Sequence, residues 1–229
     1  MTDSETALIV GAGVGLSASL ARLFASEGMR IALAARNTEK LKPLAEETRA
    51  RCYTCDAGDA GQVGALFKGV SGDLGVPDVV VYNASRRVRA PITDLNPAEV
   101  ETAIRITCYG GFLVGQAAAR LMIERGSGSI LFSGASASVK GYPQSATFAM
   151  GKFGLRGLAQ SMARELAPKN IHVAHFVIDG GIRGPRHEDG GNDAHLDPDA
   201  IARTYLHAHR QHRSAWTWEF ELRPWVETF

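Results

Sequence analysis

The sequence is poor in cysteine, has almost no net charge and contains no long apolar run. Its three cysteines are an odd number for a disulfide framework. The 25 lysines and arginines nearly balance the 24 aspartates and glutamates, so the chain lacks the basic excess typical of nucleic-acid-binding proteins. No segment reaches the roughly 18 uncharged apolar residues of a membrane helix. These absences predict a chain with neither a nucleic-acid nor a membrane partner.

The N-terminus and the composition indicate a cytoplasmic globular protein. Residues 1–6 are acidic, whereas a signal peptide begins with a basic segment. Hydrophobic residues make up 45% of the chain, which is enough to build a core. A length of 229 residues is compatible with one α/β domain.

Two residue pairs that resemble metal or redox motifs have simpler interpretations. Cys52 and Cys55 form a C-x-x-C motif, but the segment reads as a short strand rather than as the start of a helix. His209 and His212 have a helical spacing compatible with metal binding, but the neighbouring arginines disfavour a cation there. We therefore predict no metal site.

Strand-like and helix-like segments alternate along the chain. Apolar runs, and a period of two in the last case, predict strands over 6–10, 30–34, 51–54, 77–82, 129–133, 171–178 and 216–222. Helical spacing and caps predict helices over 16–27, 38–48, 60–70, 97–124, 147–167 and 198–212. Such alternation favours a parallel sheet covered by helices on both faces. We therefore predict an α/β fold with a single doubly wound domain over residues 1–229.

The sequence has 25 glycines, and the clearest glycine signal lies at the end of the first predicted strand. Gly11, Gly13 and Gly15 separate that strand from the first predicted helix, which begins with Leu16 and Ser17. Glycines in such a turn let a pyrophosphate approach the backbone N–H groups at a helix N-terminus. The loop therefore predicts a Rossmann-type dinucleotide site with these five residues as contacts; a tight turn without a ligand is the alternative.

Arg36, at the end of the second predicted strand, indicates which dinucleotide would bind. NAD-binding sheets usually place an acidic residue near this point, whereas an arginine suits the 2′-phosphate of NADP. We therefore expect NADP, with NAD as a possibility, unless Arg36 is simply a surface residue. Asp56, after the third strand, could accept a hydrogen bond from the adenine amine or cap the next turn.

With these residues placed, the chain resembles the short-chain dehydrogenase/reductase family from Leu8 to about Pro224. The resemblance rests on the glycine loop, Asp56, the Tyr82-Asn83-Ala84-Ser85 segment and Lys152. It implies a seven-stranded parallel sheet that binds NAD(P), with Asn83, Lys152 and Gly180 at the cofactor. It also implies a homodimer or homotetramer, paired through the helices near 97–125 and 147–167. The family's third phosphate-loop glycine falls on Ser17, whose hydroxyl could itself contact phosphate.

This chain departs at one position from the Tyr-x-x-x-Lys motif that the family uses in catalysis. The corresponding residues here are Phe148 and Lys152, which share one helical face. In the family the lysine ammonium lowers the pKa of the phenol, which passes a proton while hydride moves. Phe148 has the ring but no proton to give.

Four further family positions carry different residues here. The family's serine falls on Ala135, with serines at 133, 136 and 138 nearby. The helix asparagine falls on Thr107, and the threonine that follows the sixth strand falls on Gly184. The family's Pro-Gly pair reads Asp179-Gly180. Of the family's four catalytic residues (asparagine, serine, tyrosine and lysine), only the lysine is present at its expected position here, as Lys152.

These departures leave two hypotheses for function. In the first, the chain is an atypical NADP-dependent oxidoreductase acting on a small carbonyl or alcohol. Its proton would come from Ser136, Tyr142, Tyr109 or a water held by Lys152. In the second, the chain binds nucleotide without catalysis, as a sensor or partner subunit.

Two further segments, a glycine-rich one and a basic one, are expected to lie beside the cofactor cleft. Residues 179–197 are rich in glycine and correspond to the family's lid over the substrate, so we expect a mobile lid. Arg86, Arg87 and Arg89 form a basic patch near the expected cofactor cleft. The patch could hold an anionic substrate or lie on a solvated loop.

Overall fold

Seven strands form one parallel sheet in the computed structural model, which describes residues 4–184, 187 and 192–227. Their order across the sheet is β3-β2-β1-β4-β5-β6-β7, which confirms the predicted fold class. The strands are β1 (Thr6–Val10), β2 (Arg30–Ala35), β3 (Arg51–Thr54), β4 (Val79–Tyr82), β5 (Gly128–Ser133), β6 (Ile171–Ile178) and β7 (Glu219–Leu222).

Helices cover both faces of the sheet, and each face has its own apolar core. The helices are α1 (Leu16–Ser26), α2 (Lys42–Thr48), α3 (Ala60–Leu74), α4 (Pro97–Ile104), α5 (Gly110–Arg125), α6 (Ala146–Leu166) and α7 (Pro198–Arg210). Phe24 of α1 and Tyr205 of α7 are buried on one face. Val114 of α5 and Leu155 of α6 are buried on the other. Because both faces are covered, β1 is buried along its whole length, and from Ala7 to Val10 it is continuously apolar rather than alternating.

Helices α4 and α5 form one continuous element that contains a π-helical turn over Arg105–Tyr109. The side chain of Asn96 caps its start by accepting a hydrogen bond from the N–H of Ala98 at 2.9 Å. The whole element, Pro97–Arg125, is long and apolar enough to cross a membrane by length and composition alone. Half of its most apolar 18-residue stretch, however, is buried inside the protein. Its buried side chains belong to the core beneath α3 and α6, as expected for a core helix.

Several element boundaries differ from the predicted ones for identifiable reasons. Strand β4 begins at Val79 rather than 77, and Pro77, which has no N–H to donate, lies outside it. The predicted helix over 38–48 begins with a 3₁₀ turn, and α2 starts only at Lys42. The predicted last strand from 216 is wrong in its first half, because Trp216 stacks on the His172 ring and donates its indole N–H to the Gln211 carbonyl.

Candidate functional site

Two adjoining clefts lie at the carboxyl edge of the sheet. The larger has a volume of about 870 Å³ and the smaller about 330 Å³, and both are lined by Asn83 and Ser85. Asn83 directly follows β4, which lies beside β1 although the two are not consecutive strands. This is the point where the strand order reverses, and in open α/β sheets it is where ligands bind.

The glycine loop joins the two clefts at the N-terminus of α1. Gly11 has φ +84°, and a Cβ there would lie 2.4 Å from the backbone nitrogen of Ala84, so the fold itself requires this glycine. At Gly13 and Gly15, by contrast, a Cβ would meet no protein atom within 4 Å. Helix α1 has no side-chain cap and no acidic residue in its first turn. Its backbone N–H groups are therefore open to an anion, and the loop leaves space for one.

Leu16 and Ser17, the first residues of α1, are both buried. Leu16 lines the larger cleft. Ser17 donates its hydroxyl proton to the Gly11 carbonyl at 3.2 Å and accepts a hydrogen bond from the Asn83 amide at 2.8 Å. The suggestion that this hydroxyl contacts phosphate is therefore not supported by its orientation. Ser17 instead ties the glycine loop to the segment after β4.

The smaller cleft contains the residues predicted for the adenosine end of a dinucleotide. Arg36 and Asn37 line it, and the exposed Arg36 pairs with no carboxylate in the described part of the chain. Asp56 also lines it, while accepting a hydrogen bond from the N–H of Gly58 at 2.9 Å. Asp56 thus stabilises its own turn, and Asp59 is the residue that caps α3.

Lys152 is the buried cation of the larger cleft. Its side chain extends from α6 to donate a hydrogen bond to the Ser133 carbonyl at 2.6 Å. The residue is only 3% exposed, and burial lowers the pKa of the ammonium from 10.5 to about 8. The Phe148 ring, one turn earlier on α6, covers Lys152 with its centroid 5.6 Å from Nζ. The predicted pair therefore stands side by side in the cleft.

Ser133 and Ser136 line the larger cleft and Ser138 lies nearby, but the hydroxyl of each already has a hydrogen-bond partner. The Ser133 hydroxyl forms a hydrogen bond with the Tyr205 hydroxyl of α7 at 2.8 Å. The Ser138 hydroxyl is buried and accepts a hydrogen bond from the N–H of Ala135. Ser136 is hydrogen-bonded to the Asp179 carboxylate, whose pKa is lowered, against its own burial, by Ser136 and Lys140.

The two tyrosines suggested as proton donors occupy different places. Tyr142 lines the larger cleft and is 48% exposed. Tyr109 stacks on Phe112 on the outer surface and lines neither cleft, so that suggestion is wrong. Because α4 and α5 are joined by the π-helical turn, Tyr109 faces outward while Thr107, in the same turn, is fully buried.

The segment predicted as a lid covers the larger cleft in its described part. Gly180, Gly181 and Gly184 line the cleft, and His187 does as well. The two arms of the segment are joined where the N–H of Arg183 donates to the Leu196 carbonyl and the Arg183 side chain pairs with Asp197 at 2.7 Å. Gly180 packs against Pro224. The predicted lid glycines at 190 and 191 lie outside the described residues.

Sequence reasoning placed Thr107 at the family's helix-asparagine position but missed that Thr107 and Thr147, both buried, hold the segment after β4. The Thr107 hydroxyl accepts a hydrogen bond from the N–H of Arg86 at 3.1 Å, and the Thr147 hydroxyl donates to the Val88 carbonyl at 2.8 Å. Both threonines are 0% exposed. They lie far apart in sequence and belong to no common motif, so only the fold brings them to either side of Arg87.

Comparison with known proteins agrees with this architecture. The short chain dehydrogenase family model matches residues 5–186. D-threitol dehydrogenase of Mycolicibacterium smegmatis is 30% identical over 75% of this chain and 68% of its own length. A crystal structure of a short-chain dehydrogenase from Rhodopseudomonas palustris is 37% identical with a TM-score of 0.84, covering 96% of this chain and 99% of its own. A metagenomic short-chain oxidoreductase crystallised in complex with NADP is 28% identical with a TM-score of 0.85, covering 97% and 98%.

Proposed function

The chain belongs to the short-chain dehydrogenase/reductase family of oxidoreductases, and on that premise we propose that it transfers hydride between NADP(H) and a small carbonyl or alcohol. The observation that carries the proposal is the buried Lys152 ammonium in a cleft that continues into the glycine loop. Burying a cation is unfavourable, and a cleft that retains one indicates a chemical use for it.

The residues present fit a nicotinamide dinucleotide. Gly13 and Gly15 leave room that the protein does not fill, and the uncapped N-terminus of α1 suits a pyrophosphate. Arg36 would face the 2′-phosphate in the smaller cleft, and Asn83 and Lys152 the nicotinamide ribose in the larger. When bound, the reduced cofactor would supply the hydride. The NADP complex of the 28% identical oxidoreductase supports this choice of cofactor.

Lys152 is our proposed source of the proton, since Phe148 replaces the family's tyrosine. The Lys152 ammonium donates to a single described acceptor, the Ser133 carbonyl, and retains protons for a carbonyl oxygen or for an intervening water. Its pKa of about 8 is close to neutrality, where general acid catalysis is efficient. Ser136 is less suited in this conformation, because its proton is shared with Asp179.

Titration with NADPH followed by a carbonyl panel tests the proposal. We expect NADPH to bind saturably, as measured by tryptophan fluorescence, and to be oxidised with at least one aldehyde or ketone. Saturable binding with no turnover across a broad panel would contradict the oxidoreductase proposal. It would instead favour the second candidate, a nucleotide-binding sensor or partner subunit, to which Phe148 lends specific support because it has no proton to transfer.

Arg36→Gln is expected to weaken NADPH binding by about 10- to 100-fold, because a charge-assisted hydrogen bond to phosphate is lost. NADH has no 2′-phosphate, so its dissociation constant should change by less than about 3-fold. Isothermal titration of both cofactors measures the two values. Lys40→Gln, which removes a nearby exposed cation outside both clefts, is the matched control. Equal weakening of NADPH and NADH by Arg36→Gln would contradict the assignment.

We also propose that α5 and α6 pair with a second copy of the chain. These adjacent helices carry exposed apolar side chains, among them Phe112 at 40% and Phe153 at 45% exposure. We expect the wild-type protein to be a dimer or larger by light scattering and Phe112→Glu to shift it to lower mass, because a carboxylate would be desolvated in the interface. Ile92→Glu, at an equally apolar but separate exposed position, should leave the mass unchanged. A wild-type monomer would refute the pairing.

A further inference from the structure

The larger cleft is lined by three cationic side chains in the described part of the chain, Arg87, Lys152 and Arg183. Its ionisable residues in the described part of the chain are Arg87, Lys152, Arg183, Tyr142 and His187, with no carboxylate among them. Arg183 pairs with Asp197 at 2.7 Å, and Lys152 is directed to the Ser133 carbonyl. Arg87 differs from both because no described carboxylate pairs with it. Its immediate neighbour Arg86, by contrast, pairs with Glu99 at 3.2 Å outside the cleft.

Arg87 is held in place by an unusually complete set of contacts for an exposed arginine. The backbone before it is bound by the buried Thr107 hydroxyl and the backbone after it by the buried Thr147 hydroxyl. The guanidinium donates to the Ser145 hydroxyl at 3.3 Å and lies over the Phe148 ring, 5.4 Å from its centroid. Fixing a long side chain costs conformational entropy, and here the ordering is already supplied by the protein.

From this geometry we infer that Arg87 is an anion subsite, and that the substrate is a small carbonyl compound carrying a carboxylate. A guanidinium presents a planar fork that matches a carboxylate in two hydrogen bonds. One guanidinium without a carboxylate partner among the described residues balances one negative charge, which favours a monoanion. Arg87 Cζ and Lys152 Nζ lie 5.4 and 5.6 Å from the centroid of the same Phe148 ring, so the two cations are at most about 11 Å apart, a span that one small molecule with a polar group at each end can bridge. The carboxylate would bind at Arg87 and the carbonyl oxygen on the Lys152 side.

This inference rests on the proposed function, and a matched pair of substrates tests it. The probes are 4-formylbenzoate and its neutral methyl ester, assayed by NADPH oxidation. We expect kcat/KM for the acid to exceed that for the ester by at least 10-fold in the wild-type protein. Arg87→Gln should lower the value for the acid by about 10- to 100-fold and change the ester by less than 3-fold. Arg89→Gln, on the same exposed segment but outside the cleft, should leave both values unchanged.

Three results would overturn the subsite. The first is a wild-type preference for the ester, and the second is an equal loss for both probes in Arg87→Gln. The third is an NADPH dissociation constant that rises in Arg87→Gln by the same factor as the loss for the acid, since Arg87 would then serve the cofactor. Thermal unfolding of the variant, expected within about 2 °C of wild type because the side chain is exposed, shows that the fold is intact.

A binding measurement separates failure of the subsite from failure of the proposed function. The NADPH complex is titrated with 4-methylbenzoate and 4-methylbenzamide, neither of which is reducible under these conditions. Binding of the acid alone, lost in Arg87→Gln, would support the subsite even if no aldehyde were turned over. Equal binding of both compounds, or no binding of the acid, would refute the subsite whether or not hydride transfer is found.

Discussion

Phe148→Tyr is expected to raise kcat for carbonyl reduction by about 100-fold or more. The new phenol would stand on α6 next to the Lys152 ammonium, because the ring centroid already lies 5.6 Å from Nζ. The ammonium would lower the pKa of that phenol and let it pass a proton to the carbonyl oxygen. General acid catalysis typically contributes about 10²- to 10⁴-fold in rate. Steady-state and single-turnover NADPH oxidation would measure the change in the chemical step.

The double variant Phe148→Tyr with Lys152→Met is the control for this gain. If the phenol acts through the ammonium, the second substitution should remove most of the increase, giving strong coupling between the two positions. An unchanged rate in Phe148→Tyr would show that proton transfer does not limit the natural reaction. It would contradict the hypothesis that the absence of a tyrosine hydroxyl at position 148 limits the rate of carbonyl reduction.

Lys152→Met is expected to lower kcat/KM for carbonyl reduction by about 10²- to 10⁴-fold while making the protein more stable at neutral pH. The activity falls because the proposed proton source is lost. The stability rises, by about 1–2 kcal/mol, because a buried ammonium whose pKa is lowered by desolvation no longer has to be accommodated. Urea unfolding at pH 7 and NADPH oxidation measure the two effects. A loss of activity together with a gain in stability would identify Lys152 as a functional cation, whereas a loss of both would indicate a structural one.

Two companion variants keep this prediction specific. Lys68→Met, an exposed position on α3 outside both clefts, should change neither activity nor stability appreciably. Tyr142→Phe removes the phenol hydroxyl that lines the larger cleft and should reduce kcat/KM by less than about 3-fold. A large loss in Tyr142→Phe together with a small one in Lys152→Met would transfer the proton-donor role to Tyr142.

The pH dependence of stability follows from the same lysine. Its pKa is about 8 in the folded protein against 10.5 for an unperturbed side chain, so the unfolded state binds more protons between these values. The contribution of Lys152 to the free energy of unfolding therefore rises as pH increases from about 8 to about 10.5 and is constant outside that window. Lys152→Met should lack this rise when urea unfolding is followed across the same pH range.

The order of elements and the dinucleotide end of the site could be predicted from sequence, because both depend on local patterns. Buried parallel strands leave continuous apolar runs, and the glycine loop lies immediately between β1 and α1. Arg36 and Asp56 could be placed in the same way, since each follows a strand at the carboxyl edge of the sheet. The spacing of Phe148 and Lys152 likewise places both residues on one face of the helix.

Only the tertiary structure decided which partners several of the side chains meet. The sequence could not show that Ser17 is turned towards Asn83, that Tyr109 faces outward, or that Trp216 lies outside the last strand and stacks on the His172 ring. These outcomes depend on partners distant along the chain, and a helical or strand period does not specify which partner meets a side chain.

Arg87 shows the difference most clearly. By sequence it is one of three arginines in an exposed basic segment, with nothing to separate it from Arg86 and Arg89. The fold gives Arg86 a carboxylate partner and holds Arg87 in the cleft between two buried threonines and against Phe148. The sequence determined the fold class and the position of the proposed nucleotide site. The packing of distant segments decided which cation of the basic segment has no carboxylate partner among the described residues, because charge pairing depends on distance in space rather than along the chain.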